Sequence, residues 1–245
     1  MKLLLTTLCA CLLAASFGSK LPSTFKKCNL KQTSSRLCLP TAIESAIKQM
    51  DHPIKNLGLV RLEPLLIPSL IIDAGSQYVG TKQIFKNLKL SGFNETSCSK
   101  ADFNYNEKTL NLDCVVPNFR MDFNYELRGQ VMTMSIYGNG TGWLNFHDNQ
   151  FGLTFKFGEY EKDGQTYFNI VHQQLKMQAK DIDFDLQNLF DGDEKSAAQV
   201  KRLIKENVLE IFDDVKPGYE EAFGKIFAYI FETILEKVPV FDIFG

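Results

Sequence analysis

The spacing of apolar residues changes twice along the chain and divides it into three parts. From Leu39 to Met50 apolar residues recur every three or four positions, which predicts a helix. From Ile67 to about Leu186 they recur mostly every second position, which predicts a long run of antiparallel strands. Helical spacing then returns. No repeat, low-complexity tract or linker interrupts this order, so we expect a single domain over residues 19–245.

The clearest strand signal lies in residues 151–157, where large apolar residues occupy every second position. Asp163-Gly164 follows and is a strong signal for a two-residue hairpin turn. Such a turn predicts the cross-strand pairs Lys162–Gln165, Glu159–Phe168, Phe157–Ile170 and Phe155–His172. The same register places His172 on the apolar face of the hairpin.

The segment between Cys98 and Cys114 predicts a second hairpin, centred on Asn106. A hairpin centred there sets the two cysteines opposite each other, but it turns Leu110 and Leu112 towards the polar face. A bulge of one residue restores both the cysteine pair and the apolar face. We therefore expect a bulged hairpin closed by a disulfide.

Two helices are predicted in the last third of the chain. The first carries a single apolar stripe, formed by Ala197, Val200, Leu203, Ile204, Val208, Ile211 and Phe212. Pro217-Gly218 is expected to end it. The second, from about Tyr219 to Lys237, is apolar on most sides and must therefore be surrounded on most sides. A flat sheet cannot surround a helix, so we predict an α+β fold in which a highly curved antiparallel sheet wraps a long helix.

The first 18 residues have the pattern of a signal peptide. Lys2 precedes an apolar run from Leu3 to Ala15, and small residues near Gly18 offer a cleavage site. No later stretch has the ~18 uncharged apolar residues that a membrane span needs. We expect a secreted, extracellular protein without stable membrane insertion, with a monomer favoured.

Cleavage would remove Cys9 and Cys11 and leave four cysteines, which allow three pairings. An oxidising compartment favours two disulfides, and proximity in the sequence favours Cys28–Cys38 and Cys98–Cys114. A zinc site is the alternative, but no Cys-x-x-Cys motif or nearby histidine supports it. Two sequons, Asn94-Glu-Thr96 and Asn139-Gly-Thr141, are candidate glycosylation sites on exposed loops.

The motifs of common enzymes and nucleic-acid-binding proteins are missing from this sequence. A formal charge of −2 gives no basic surface for nucleic acid. The three histidines form no zinc-protease motif, and no Gly-x-Ser-x-Gly elbow is present. Asp181, Asp183 and Asp185 alternate with apolar residues, which indicates the solvent face of a strand. The glycines of Gly138–Gly142 are interpreted as a hairpin turn rather than a phosphate loop. We expect no catalytic residues, no metal and no cofactor.

Phenylalanine is unusually frequent, with 20 residues in 245. An ordinary core could use them all, but with a buried helix they could also line a long apolar cavity. The candidate wall residues are Phe155, Phe157, Phe223, Phe227, Ile230 and Ile234. Tyr137, Trp143 and His172 are candidate polar groups inside the cavity, and an ordinary role in the core or at the rim is the alternative for each.

Several short motifs, each weak alone, occur in an order that is informative as a whole. They are Leu21-Pro-x-x-Phe25-x-x-Cys28, Cys38-Leu39, Leu62-Glu-Pro-Leu65, Ile67-Pro68, Lys86-Asn87-Leu88-x-Leu90-x-Gly92, Ile136-x-Gly138-x-Gly140 and Asn188-Leu189-Phe190-x-Gly192. With the phenylalanine-rich last helix, this order resembles the insect takeout and juvenile hormone binding protein family of haemolymph and chemosensory carriers.

The resemblance implies a helix wrapped in a curved sheet, related to the tubular lipid-binding folds, that encloses a tunnel for an apolar ligand. It also implies that Cys28–Cys38 is the family's N-terminal disulfide, whereas the Cys98–Cys114 pair depends on this sequence alone. The expected function is a secreted carrier of a small lipophilic ligand, such as a juvenile-hormone-like terpenoid, a semiochemical or a fatty-acid-like lipid. A lipid-surface or signalling protein of the same fold and a lipid esterase are the alternatives.

Overall fold

A computed structural model describes residues 19–29, 35–76 and 79–244 of the chain. The signal-peptide prediction, with Cys9, Cys11 and the Gly18 cleavage site, lies outside these residues. The elements are α1 (Ser35–Gln49), β1 (Leu65–Gly75), β2 (Val79–Ser91), β3 (Ser97–Asn104), β4 (Thr109–Val131), β5 (Met134–Lys162), β6 (Gln165–Gln178), β7 (Asp181–Leu186), α2 (Glu194–Glu206), α3 (Val208–Leu235) and α4 (Val240–Phe244). Short 3₁₀ helices at Phe93–Glu95 and Phe190–Gly192 join some of them.

The predicted helix at the front of the chain is confirmed as α1. It begins at Ser35 rather than Leu39, so Pro40 lies inside it. The strand region is confirmed as β1 to β7, and β7 carries the alternating aspartates with Asp181 and Asp183 exposed.

The strands form one antiparallel sheet in the order β1-β2-β4-β5-β6, with β3 also paired to β4 and β7 to β5. The outermost strands of this order, β1 and β6, both pack against α3. A sheet whose two opposite edges reach the same helix has to curl around that helix. The predicted α+β architecture, with a curved antiparallel sheet around a long C-terminal helix, is therefore confirmed.

The exposure of α3 shows how fully the sheet and the other helices enclose it. From Ile211 to Leu235 its exposed residues are Asp213, Pro217, Glu221, Lys225 and Tyr229. These residues recur every fourth position, so they form one narrow line along the helix. All other sides of this segment are at least partly buried, as the apolar pattern requires.

The edge strand β6 is joined to α3 by two glutamate side chains. The Glu220 carboxylate accepts a hydrogen bond from the Met177 amide at 2.9 Å, and the Glu232 carboxylate accepts one from the Ile170 amide at 3.2 Å. An edge strand otherwise presents unpaired amides on which other chains can assemble. The two glutamates therefore satisfy part of this edge and hold the helix against it.

The segment before β1 is held in place by Glu63. Its carboxylate accepts hydrogen bonds from the Gly92 amide at 3.0 Å and the Asn94 amide at 3.4 Å. The Glu63–Pro64 peptide bond is cis, and the neighbouring Leu62 and Leu65 are buried. The Leu-Glu-Pro-Leu motif thus joins α1 to the sheet and lines up β1 with β2.

The hairpin between β5 and β6 has the predicted turn but only part of the predicted register. The pairs Lys162–Gln165, Glu159–Phe168 and Phe157–Ile170 are confirmed. The pair Phe155–His172 is wrong, because the register shifts at Val171 and sets Lys156 opposite His172 and Phe155 opposite Gln173. The extra residue turns both Val171 and His172 to the outer, exposed face.

The bulge in the hairpin between β3 and β4 is confirmed. Cys98 lies opposite Cys114, the register shifts before Lys100, and Ala101 then lies opposite Leu112. Both expected disulfides are present, with Cα–Cα distances of 5.8 Å for Cys28–Cys38 and 3.9 Å for Cys98–Cys114.

The helix break predicted at Pro217-Gly218 is wrong. Helix α3 continues through Pro217-Gly218, and the break between the last two long helices falls at Asn207 instead. The backbone of Asn207 leaves the helical conformation, and its side chain donates to the Leu203 carbonyl at 2.9 Å. Proline removes one hydrogen bond from a helix but does not end it when packing on several sides holds the turns together.

The glycine run from Gly138 to Gly142 lies inside the long strand β5 and is not a hairpin turn. A Cβ atom on Gly140 would come within 2.3 Å of the Gln187 carbonyl oxygen, and one on Gly138 within 3.0 Å of the Asn188 carbonyl oxygen. The glycines therefore allow the segment that follows β7 to pack directly on the strand.

Candidate ligand-binding site

The interior of the wrapped sheet contains two apolar cavities, at opposite ends of α3. The larger has a volume of about 270 Å³ and lies between α1, β4, β5, α4 and the C-terminal half of α3. The smaller has a volume of about 120 Å³ and lies between β2, β4, β5, β7, α2 and the first half of α3. Among the described residues, none lines both cavities.

Four of the predicted wall residues line the larger cavity: Phe155, Phe227, Ile230 and Ile234. Around them the surface is formed almost wholly by hydrocarbon and aromatic side chains. Polar groups in the described lining come from Lys26 and Thr96, and the Thr96 hydroxyl already donates to the Phe93 carbonyl at 2.6 Å. Such a surface favours an apolar ligand through the hydrophobic effect.

Phe157 and Phe223 are buried but do not line either cavity. Phe157 stacks on Phe168 with ring centroids 5.3 Å apart, behind the wall of the larger cavity. Phe223 is fully buried on α3, between Tyr219, which lines the smaller cavity, and Phe227, which lines the larger one. Its ring lies 5.7 Å from that of Phe119 on β4. Phe223 and Phe119 therefore belong to the partition between the two cavities.

The three predicted polar groups lie outside the cavities. His172 is exposed because of the bulge at Val171. Trp143 alternates with the inward-facing residues of β5 and therefore lies on the outer face of the sheet. The Arg120 guanidinium lies 4.5 Å from the centre of its ring. Tyr137 is 43 % exposed and packs its ring against Phe190. The expectation that these three side chains point into the interior is wrong, since the strand alternation and the bulge turn them outwards.

The smaller cavity was missed by reasoning from the sequence. Its lining includes Phe123, Phe146, Ile182, Phe212 and Tyr219. These residues occupy alternate apolar positions of strands and the stripes of two helices, which a solid core would also show. Only the arrangement of the elements in space leaves a volume between them.

A buried tyrosine gives the smaller cavity a polar group. The Tyr219 hydroxyl on α3 donates a hydrogen bond to the Gln83 side-chain oxygen on β2. Burial raises the pKa of Tyr219 well above its ordinary value, because an ionised phenol would lose its hydration there. Tyr125 also lines this cavity; burial, and then the charge of Asp185, raise its pKa to about 12. Both phenols are therefore neutral hydrogen-bonding groups in the physiological range.

The two sequons are exposed but differ in their surroundings. Asn94 lies in the 3₁₀ helix after β2, and Asn139 lies within β5 rather than on a loop. The Asn139 side-chain oxygen accepts a hydrogen bond from the side-chain amide of Asn188 at 3.2 Å. Glycosylation at either site stays a prediction.

Across residues 19–29, 35–76 and 79–244, no helix combines the length and the apolar character of a membrane span.

Comparison with known proteins assigns this architecture to a family. A profile described as haemolymph juvenile hormone binding protein (JHBP) matches residues 5–245. The chain belongs to this family. The resemblance drawn from the motifs is therefore confirmed for nearly the whole length of the sequence.

Individual relatives support the JHBP assignment at low sequence identity. The circadian clock-controlled protein daywake of Drosophila melanogaster is 22% identical over 243 residues, which cover 96% of this chain and 92% of that protein. The daywake protein of Drosophila yakuba is 22% identical over 231 residues, covering 91% of this chain and 88% of that protein.

The fold is shared with a solved structure. The crystal structure of Takeout 1 from Epiphyas postvittana matches with a TM-score of 0.78 and 21% identity, covering 89% of this chain and 98% of that chain. At this identity the match shows the fold, and the ligand of this JHBP family member has to be argued from its own cavities.

Proposed function

We propose that this protein is a secreted carrier that binds a small hydrophobic molecule inside the wrapped sheet. The observation that carries the proposal is the larger cavity, whose described lining is almost entirely apolar and which occupies the space between α1, α4 and α3. Transfer of a ligand's apolar surface from water to such a cavity contributes about 25 cal/mol per Å², before the cost of ordering the ligand is subtracted.

The ligand class follows from the shape and chemistry of the interior. Both cavities lie along α3, so an elongated molecule fits better than a compact one. The few polar groups in the lining favour a molecule with a long hydrocarbon part, and a juvenile-hormone-like terpenoid, a semiochemical or a fatty-acid-like lipid meets this description. The family assignment supports the same class.

Secretion is part of the proposal. Two disulfides stabilise the structure, and disulfides form and persist in oxidising compartments. The signal-peptide pattern in the first 18 residues fits the same location. Secretion of the full-length chain from insect cells, with N-terminal sequencing of the product, tests this part.

The carrier function is tested by identifying bound molecules. We expect native mass spectrometry of gently purified protein to show a lipophilic molecule bound, and terpenoids or fatty acids to displace a fluorescent apolar probe. If no apolar molecule co-purifies and none displaces the probe, the carrier function is wrong. Tight binding to vesicles without extraction of single lipid molecules would favour a lipid-surface protein instead.

A further inference from the structure

Asn149 is a buried polar side chain whose hydrogen-bonding atoms have no partner among the described residues. It is 0 % exposed on β5. Neither its side-chain nitrogen nor its side-chain oxygen has a hydrogen-bond partner within the described part of the chain. Burial of an amide without partners costs free energy, so nearly all buried side-chain amides in proteins are satisfied. A molecule that supplies the missing hydrogen bonds would recover this cost.

The strand geometry directs Asn149 to the inner face of the sheet. Along β5 the inward residues are Leu144 and Phe146, and after an irregularity at Asp148 they are Phe151, Leu153 and Phe155. Asp148 has a φ of 45°, and it and Pro117 on β4 are both left out of the strand pairing. This irregularity changes the alternation, so Asn149 shares the inward face with Phe151.

Asn149 itself lines neither cavity, but its position on β5 falls between residues that do. Phe146, three residues before it, lines the smaller cavity, whereas Phe151, two residues after it, lines the larger one. Both phenylalanines contact Phe119, with ring centroids 5.7 Å and 5.2 Å apart, and Phe119 contacts Phe223 of α3. Asn149 therefore lies on the strand that borders the aromatic partition.

The partition is short compared with an extended lipid. On α3 it covers the interval between Tyr219 and Phe227, which is about 12 Å at 1.5 Å per residue. The aromatic side chains that fill it are held by packing and not by hydrogen bonds. A path from one cavity to the other therefore requires these side chains, Phe223 among them, to change rotamer, and such a change breaks no hydrogen bond.

From this arrangement we propose that Asn149 binds a polar group located part-way along the ligand, while the ligand's two apolar arms occupy the two cavities. This inference rests on the proposed carrier function and adds the ligand's chemical class. The ligand is an elongated apolar molecule with a hydrogen-bonding oxygen in its interior, such as a hydroxyl, ketone or ester. An amide can both donate and accept, so it can pair with each of these groups.

A matched set of ligands tests the proposal. The probes are methyl stearate and its derivatives with a hydroxyl or a ketone at mid-chain, which have the same chain length. In Asn149→Leu we expect the affinity for the hydroxyl and ketone derivatives to fall roughly tenfold, because their polar groups lose their partner. The affinity for methyl stearate should stay within about twofold, since its hydrocarbon mid-chain needs no partner there.

Gln173 provides the matched control. Its side-chain oxygen is also buried and without a partner in the described structure, and like Asn149 it lines neither cavity. It lies on β6, opposite Phe155 and against Gly224 of α3, rather than on β5 between Phe146 and Phe151. Gln173→Met should leave the affinities of all three probes unchanged. If Asn149→Leu weakens all three probes equally, or none of them, the inference is wrong while the carrier function stands. If the wild-type protein binds none of them, the carrier function itself fails for this class.

A second measurement keeps the test independent of how well the variant folds. In the wild-type protein, the side-chain amide resonances of Asn149 should shift on binding of the hydroxyl or ketone derivative and stay nearly unchanged with methyl stearate. Equal shifts with all three probes, or no shift with any, would show that Asn149 serves the core or holds a structural water.

Discussion

The carboxylate of Glu220 on α3 and the backbone amide of Met177 on β6 are joined by a hydrogen bond of 2.9 Å. Glu220 is 7 % exposed, and its second oxygen accepts from the Lys176 ammonium group at 3.0 Å. This contact closes the wrapped sheet against the central helix at its β6 edge. The cavities exist only while that edge stays in place.

Replacement of Glu220 by alanine should therefore destabilise the whole fold. The change leaves the Met177 amide buried without a partner, and we expect a loss of about 2 kcal/mol in the free energy of unfolding, measured by urea denaturation. Glu220→Gln should lose less of the free energy of unfolding, since the glutamine side-chain oxygen can still accept the hydrogen bond from the Met177 amide. Glu221→Ala is the control: Glu221 is exposed and pairs with Lys225, so its removal should change the unfolding midpoint little.

The larger cavity can be filled from α3. Ile230→Trp adds bulk to a lining position, and we expect at least a tenfold loss in affinity for an apolar probe with the fold retained. Tyr229→Trp makes a similar change one residue earlier, on the line of α3 that is exposed to solvent. Probe displacement should be unaffected in this control. Equal losses in both variants would mean that the probe does not bind in this cavity.

His172 separates the carrier from the esterase alternative. It is exposed on the outer face of β6, opposite Lys156, and lines neither cavity. We expect His172→Ala to leave the affinity for lipophilic ligands unchanged within about twofold. Hydrolysis of a lipid ester by the wild-type protein, lost in His172→Ala, would contradict this prediction.

Tyr219 should make the stability of the protein decrease at alkaline pH. Its pKa is raised in the folded state, so the folded protein holds this proton to higher pH than the unfolded chain, whose tyrosines titrate near 10. The neutral phenol therefore contributes its full amount to the free energy of unfolding below about pH 10. This contribution is lost as the pH rises towards the pKa of Tyr219 in the folded state. Urea denaturation between about pH 8 and pH 11 should show this decline.

Tyr219→Phe separates the titration from the packing. At neutral pH the variant loses the hydrogen bond to Gln83, at a cost of about 1 kcal/mol. Above about pH 10 its stability should fall less steeply than that of the wild type, because the variant lacks the hydroxyl whose pKa is raised by folding. Parallel declines for the two proteins would contradict the assignment to Tyr219.

Local patterns in the sequence predicted several details of the sheet. Asp163-Gly164 placed a turn and the first pairs of its hairpin, because a two-residue turn sets the register beside it. The bulge after Cys98 was predicted because a regular hairpin could not satisfy two requirements at once. It could not both pair Cys98 with Cys114 and keep the leucines on the apolar face. The apolar pattern of the last helix predicted that it is surrounded.

Other details could not be derived from local patterns. The bulge at Val171 has no distinctive residue, so strict alternation placed His172 on the wrong face. Pro217 is the usual sign of a helix end, yet packing on several sides carries α3 past it. The glycines from Gly138 to Gly142 resemble a turn, but they serve a close approach between distant backbones.

The sequence alone predicted the order of the elements and the enclosed helix, and it favoured the two disulfide pairs, because spacing, turn chemistry and short loops act between neighbouring residues. Where the apolar side chains leave space unfilled became visible only in the folded structure. A cavity is a property of several elements packed together, and the residues around it are the same types that fill a solid core. The sequence likewise could not show that Asn149 faces inward beside the aromatic partition. That placement depends on a local irregularity in β5 and on the packing of Phe119 against Phe223.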